Sequence, residues 1–121
     1  MSRAMRLHVQ GTGVPVAERA QHARTWRERM VGLLAHERLS ADEALIFEGC
    51  SSIHTFGMRF AIDVIFVDRQ WRVVALREHL SPGRFVLPVR QAWGVVETAC
   101  GTLQRTGIDV GDTIIISDVT N

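Results

Sequence analysis

The densest group of chemically capable side chains lies in one stretch of the chain, residues 50–63. Two serines, His54, Thr55 and Arg59 come directly before an apolar run that contains a single carboxylate, Asp63. Histidine titrates near neutral pH and can act as an acid, a base or a metal ligand. Arginine holds carboxylate or phosphate groups through its planar fork. This combination of side chains predicts a binding or catalytic site.

Asp63 is the most unusual of these residues because hydrophobic side chains flank it on both sides. A buried carboxylate must accept hydrogen bonds, or its pKa must rise. Arg59 lies roughly 13 Å away along a straight strand, so backbone amides, His54, Arg84 and Arg90 are the candidate partners. Asp63 could therefore be a structural fastening, a substrate ligand or a catalytic group.

Glu97 is a second acid in an apolar neighbourhood, within Val95–Ala99. If its strand lies beside residues 60–67, Glu97 and Asp63 could share a site. Two neighbouring carboxylates have different pKa values and can perform acid–base chemistry. The alternative is a solvated glutamate that faces the edge of the sheet.

A metal site would combine Cys50 and His54 with a third ligand from His36, His79 or Cys100. Thiolate and imidazole ligands suit zinc. However, the Cys-x3-His spacing occurs without a matching second pair of ligands. We therefore predict no metal and no cofactor.

A nucleophilic site could use Cys50 with His54, or one of the serines Ser51 and Ser52. None of the sequence signatures of cysteine proteases or of the serine nucleophile elbow surrounds them. No catalytic residue is therefore assigned, and whether the protein is an enzyme stays open.

The composition is that of an ordinary globular domain, with 121 residues, 46% hydrophobic and 22% charged. This length predicts one domain over residues 1–121. The net charge is +1, and the fourteen basic residues, all arginine, alternate with thirteen acids, so no nucleic-acid partner is expected. The chain has neither the apolar core of a signal peptide nor a membrane span, which predicts a cytoplasmic protein with reduced thiols.

The pattern of apolar residues predicts both helix and strand. A capping box at Thr25–Glu28 and an apolar stripe after it predict the main helix over about residues 25–36. A second capping box at Ser40–Glu43 predicts another helical turn. Gly101–Thr106 predicts a short helix that ends at Gly107.

The remaining periodic segments predict strands. A hairpin is expected at residues 68–70, and the run 60–67 is expected to be a central strand buried on both faces. The predicted strands cover residues 5–9, 14–17, 44–47, 60–67, 71–76, 95–99 and 113–117. Their order predicts an α+β fold with a mostly antiparallel sheet curled into a barrel-like core, one main helix and one or two short helices.

Several of these segments resemble the domain of unknown function 192 family from about Ala17 to Ile116. The most specific segment is I-H-T-F-x-M-R-F-x-I-D-V-I-F-V-D. The weaker segments are R-x-x-G-L-L (29–34), A-L-I-F (44–47), P-G-R (82–84), V-V-E-x-x-x-G (95–101) and G-I-x-V-G-D (107–112).

The resemblance implies a compact α+β domain with a barrel-like core and no assigned activity. The polar signature of the family falls on His54, Thr55, Met58, Arg59, Asp63 and Glu97. Gly57 stands where much of the family has an aromatic residue, which is expected to open a pocket. Gln70 and Trp71 stand where many relatives have a glycine in the hairpin. The resemblance implies export for many relatives, whereas this sequence predicts no signal peptide.

The leading hypothesis is a noncatalytic binding or accessory domain with a polar pocket around residues 54–63. Arg59 would hold a small anionic ligand, or a protein partner would bind there. A small hydrolase or lyase with His54 as general base and Asp63 as its orienting group is an alternative. The other alternative is a purely structural role for this segment.

Overall fold

The structure, a computed structural model, describes residues 5–23 and 39–118. No helix in these ranges is long and apolar enough to cross a membrane. The elements in chain order are β1 (Met5–Val9), β2 (Pro15–His22), β3 (Glu43–Glu48), β4 (Ile53–His54), β5 (Ile62–Val67), β6 (Val73–Leu80), β7 (Phe85–Val86), β8 (Gly94–Ala99), α1 (Thr102–Thr106) and β9 (Ile114–Asp118).

Seven of the described strands form one sheet in the order β6-β5-β8-β3-β2-β1-β9. Its neighbours are antiparallel except for β2 and β3, which run parallel. The edge strands β6 and β9 meet at one end, where Arg72 pairs with Thr113. There the Val73 amide donates to the Asp112 carbonyl at 2.7 Å. The sheet is therefore curled, and its two edges are joined at that end.

The α+β prediction is wrong, because the described chain is mostly strand with one five-residue helix. Ser40–Glu43 has the sequence of a capping box, but it forms a tight turn. The Glu43 amide donates to the Ser40 carbonyl at 3.0 Å, and the Glu43 carboxylate accepts from the Ser40 amide at 3.1 Å. β3 starts directly from this turn. The main helix predicted over about residues 25–36 lies outside the described residues.

The central strands contribute to two hydrophobic cores, because successive side chains of a strand point to opposite faces. Ile65 and Val67 pack in the inner core, which the curled sheet encloses. Val64 and Phe66 pack in the outer core on the other face. All six residues of β5 are buried. The prediction of a strand buried on both faces is confirmed, and β5 lies inside the sheet, next to the edge strand β6.

Two predicted turns are also confirmed. The hairpin between β5 and β6 is held by Asp68, whose Oδ1 accepts from the amides of Gln70 and Arg72, each at 2.9 Å. Helix α1 ends at Gly107, which has a φ of 66° and donates its amide to the Leu103 carbonyl. In both cases the turn-forming residue is apparent in the sequence.

Strand β2 is longer than the predicted strand at residues 14–17, and it lies inside the sheet between β1 and β3. The second half of β2 is polar, so the sequence pattern there does not indicate a strand. Glu18 accepts from the Arg6 Nε at 2.6 Å, and the Arg19 Nε donates to Asp42 at 2.9 Å. Pairing with neighbouring strands therefore outweighs the polar composition of this segment.

Gly111 lies at the joint between the two sheet edges, and its φ is 99°. Its amide donates to the Val73 carbonyl at 2.9 Å. An alanine here is strained, so Gly111→Ala should lower the free energy of unfolding in urea by about 1–3 kcal/mol. The control Val110→Ala, at an exposed neighbouring position, should change it by less than about 0.5 kcal/mol. Equal losses of unfolding free energy in the two variants would contradict a stabilising role for the joint between the sheet edges.

Candidate functional site

The small β4–β7 sheet covers the outer core with one face and presents the other face to solvent. Ile53 and Val86 are paired directly, and both are buried in the outer core. The next pair is His54 with Phe85. Directly paired residues lie on the same face, and successive residues alternate. The side chains of His54 and Phe85 therefore lie together on the outward face.

Phe56 extends this outward face, and Leu87 follows β7 directly in the chain. The ring of Phe56 stacks on the His54 ring with 5.0 Å between centroids and 24° between planes. Phe56, Phe85 and Leu87 are 48%, 55% and 74% exposed. We define the platform as His54, Phe56, Phe85 and Leu87. It is an apolar surface with one titratable ring.

Thr55 fastens the two halves of the platform together. It is fully buried, and its hydroxyl donates to the Ser81 carbonyl at 2.6 Å and accepts from the Arg84 amide at 2.8 Å. The Thr55 amide donates to the Arg84 carbonyl, and the Gly83 amide donates to the Thr55 carbonyl. Thr55 therefore joins the His54 segment to the Pro-Gly-Arg turn.

The residues after Thr55 form a tight turn that brings Phe56 onto His54. The Met58 amide donates to the Thr55 carbonyl at 3.2 Å, and Gly57 has a φ of 83°. A positive φ at the third position of a turn favours glycine. The Met58 side chain is buried in the outer core, whereas Arg59 is exposed.

Asp63 is fully buried, and backbone amides hold both of its carboxylate oxygens. Oδ1 accepts from the His79 amide at 2.8 Å, and Oδ2 accepts from the Gly101 and Leu103 amides, each at 3.0 Å. The Thr98 hydroxyl donates to the Asp63 carbonyl at 3.1 Å. Among the candidate partners of this carboxylate, the backbone amides are therefore the groups that bind it.

The predicted site residues lie on both faces of the sheet. Asp63 pairs with Thr98 and has the same orientation as the residues of the inner core, whereas Glu97 pairs with Val64 on the outer face. Asp63 and Glu97 therefore do not share a site. Glu97 is 1% exposed, so it is not a solvated edge residue. His54 lies in the segment that covers the outer face, with β5 between it and the Asp63 carboxylate.

A contact that the sequence did not predict lies next to Asp63. The His79 Nδ1 and the Cys100 Sγ are 2.7 Å apart. They line a cavity of about 550 Å³. Its other described lining residues are Leu39, Ser40, Ala41, Phe60, Ala61 and Ala99. His79 and Cys100 are 21 positions apart, and only the order of the strands brings them together.

Cys50 and His54 are the first two ligands of the zinc site that the sequence allowed. Cys50 is half-buried and donates its thiol to the Ser52 carbonyl at 3.0 Å. Among the residues that the structure describes, no group of three or more His, Cys, Asp or Glu could hold a metal ion.

Comparison with known sequences gives a family and two relatives. The family model for domain of unknown function 192, described as "Uncharacterized ACR", matches residues 7–116. A UPF0127 protein of Pyrococcus furiosus is 42% identical over 62 residues, which are 51% of this chain and 53% of that protein. A UPF0127 protein of Thermococcus sibiricus is 39% identical over 64 residues, 53% of this chain and 41% of that protein. The matched region thus spans about half of each relative's length.

Two solved structures share the fold. A Novosphingobium aromaticivorans protein of unknown function aligns with a TM-score of 0.75 and 26% identity over 91% of this chain and 83% of that one. A Sinorhizobium meliloti protein described as a putative transcription regulator aligns with a TM-score of 0.77 and 18% identity. That alignment covers 96% of this chain and 94% of the other, and at this identity it is a likeness of fold alone.

Asp63→Asn should destabilise the protein, because an amide cannot replace two acceptor oxygens that bind three backbone amides. The lost charge-assisted bond and the unsatisfied amide should lower the free energy of unfolding in urea by about 2–4 kcal/mol. Asp68→Asn is the matched control, because Asp68 is not fully buried and uses a single oxygen that asparagine retains. A similarly small loss of unfolding free energy in both variants would contradict the structural role of Asp63.

Proposed function

This chain belongs to the domain of unknown function 192 family, and we propose that it is a noncatalytic domain that binds an acidic, partly apolar segment of another protein through the platform. The observation that carries this proposal is the exposure of three hydrophobic side chains in the segments that carry β4 and β7: Phe56, Phe85 and Leu87. Contiguous exposed hydrophobic side chains are typical of protein interaction sites. Aromatic residues are enriched in the parts of interfaces that contribute most to affinity.

The charge around the platform supports an acidic partner. The segments 49–62 and 80–96, which build the platform, contain three arginines and no aspartate or glutamate. These arginines, Arg59, Arg84 and Arg90, are all exposed. Exposed arginines in the same segments as exposed apolar side chains favour a partner whose carboxylates flank apolar side chains, because complementary charge steers association and selects the partner.

Rigidity is a third argument for binding at the platform. Thr55 is hydrogen-bonded to the turn at residues 81–84 through its hydroxyl, its amide and its carbonyl, and the Val89 amide donates to the Ser51 carbonyl at 2.8 Å. A surface that is already ordered loses less conformational entropy when a partner binds. This proposal retains the predicted accessory role and the anion-binding role of Arg59, but moves the contact from a polar pocket to the platform.

The hydrolase hypothesis receives less support, since β5 separates His54 from the carboxylate that was expected to orient it.

The proposal also keeps the cytoplasmic location predicted from the sequence. Free thiols at Cys50 and Cys100 are typical of a reducing compartment.

The proposal is tested by selecting ligands from a library of short peptides in which two apolar positions are flanked by Asp or Glu. A matched library with Lys at the charged positions is the control for charge. The affinity of selected peptides is measured by fluorescence polarisation for wild type, Phe85→Ser and Val110→Ser. Val110 is 56% exposed and lies outside the platform, so it is the matched control.

Acidic peptides should be selected over basic ones, and Phe85→Ser should weaken their binding by at least about tenfold, as truncation of an aromatic anchor does. Val110→Ser should leave the affinity unchanged, and added salt should weaken it. Peptides that bind equally well to both serine variants would refute the platform. Hydrolase turnover that is lost in His54→Ala would favour the enzymatic alternative.

A further inference from the structure

The thiol of Cys100 and the imidazole of His79 form a pair that the platform does not use. Their side chains line the cavity of about 550 Å³, with 2.7 Å between Sγ and Nδ1. Both residues are exposed. A thiol in contact with a basic nitrogen and open to a cavity has the arrangement of a nucleophile with its general base.

The fold fixes both members of the pair through Asp63. β5 lies between β6, which carries His79, and β8, which is followed by Cys100. The Asp63 Oδ1 binds the His79 amide, and the Oδ2 binds the amide of Gly101, directly after Cys100. One carboxylate therefore positions the backbone on both sides of the contact.

The backbone of His79 is bent towards the pair by a bulge in β6. The register between β5 and β6 shifts between Ile62 and Val64, so that Glu78 and His79 both lie opposite Asp63. His79 has a φ of 52°, in the left-handed region. The hydrogen bond that the His79 amide donates to the Asp63 carboxylate stabilises this uncommon conformation.

The thiol of Cys100 needs a base to react at neutral pH. Although Cys100 is exposed, partial loss of hydration at the thiol raises its pKa, and the nearby carboxylates of Asp63 and Glu78 raise the pKa further. The protonated thiol can donate to the His79 Nδ1. The imidazole can then accept the thiol proton as the sulfur attacks an electrophile.

We propose that Cys100 is a thiol–disulfide exchange site for low-molecular-weight disulfides, with His79 as its general base. The Cys100 Sγ attacks one sulfur of the disulfide as its proton passes to the His79 Nδ1. A new Sγ–S bond forms while the S–S bond of the reagent breaks. The departing thiolate takes the proton from His79 and leaves as a thiol. Cys100 is thereby oxidised to a mixed disulfide, and the released half of the reagent is reduced.

The carboxylates next to the thiol determine which disulfide is preferred. The carboxylates of Asp63 and Glu78 are close enough to Cys100 to raise the pKa of its thiol. Like charges repel, so a cationic disulfide should react faster than an anionic one. Cystamine and glutathione disulfide are suitable cationic and anionic probes.

Two single-cysteine variants of the full chain test the proposal. Cys50→Ser leaves Cys100, and Cys100→Ser leaves Cys50, which is half-buried and bonded to a carbonyl. The rate of mixed-disulfide formation with each probe is followed by intact mass at neutral pH. His79→Asn and His79→Gln, each in the Cys50→Ser background, remove the base. Asparagine tolerates the left-handed backbone, and circular dichroism checks that each variant is folded.

At neutral pH, Cys100 should react with cystamine at least about tenfold faster than Cys50, and both His79 variants should lose at least about tenfold of that rate. The rate difference between His79 and its variants should disappear at high pH, where the Cys100 thiolate forms without a base. Cys100 should form a mixed disulfide faster with cystamine than with glutathione disulfide. A rate at Cys100 no greater than at Cys50, or an unchanged rate in folded His79 variants, would overturn the proposal. Peptide binding at the platform is a separate measurement, so either proposal can fail alone.

Discussion

The Asp63 carboxylate is the interaction on which the arrangement at this end of the sheet depends. It is fully buried within the interior strand β5 and accepts hydrogen bonds from three backbone amides of two different elements. Hydrogen bonds to a charged acceptor contribute more than neutral ones, and a buried carboxylate without them would be strongly unfavourable. The carboxylate thus requires the bulge of β6 and the start of α1 to lie where they do.

Thr55 has a comparable role on the other face of the sheet. Its hydroxyl and its backbone bond to the turn at residues 81–84, so a buried polar side chain again fastens one segment to another. Asp63 organises the cavity that His79 and Cys100 line, and Thr55 organises the platform over the outer core. Two of the polar residues that the sequence singled out therefore hold the backbone in place, and the candidate functional groups are their neighbours.

The sequence predicted the elements whose patterns are local. β5 is a continuous apolar run, and the turns at Asp68 and Gly107 have residue types that specify them. The resemblance to the family is confirmed over residues 7–116. The second half of β2 was missed because strand pairing there overrides a polar composition, and Ser40–Glu43 was wrongly predicted as helical because one sequence pattern suits a cap or a tight turn.

The site was harder to predict because its contacts depend on strand order. His79 and Cys100 are distant in sequence, and nothing local indicates that β6 and β8 both border β5. The partners of Asp63 are backbone amides, which carry no sequence signal at all. The exposure of Phe85 and Leu87 could not be predicted either, since a strand of two residues has too short a pattern to indicate which side faces solvent.

Hydrogen exchange of individual amides, followed by NMR, tests the central claim about Asp63 most directly. In wild type, the amides of His79, Gly101 and Leu103 should exchange slowly, although His79 and Gly101 are exposed residues. In Asp63→Asn these three amides should exchange much faster, while those of the β5–β8 pairing remain protected. Rapid exchange of the three amides in wild type, or unchanged protection in the variant, would contradict the claim that this carboxylate holds the two elements together.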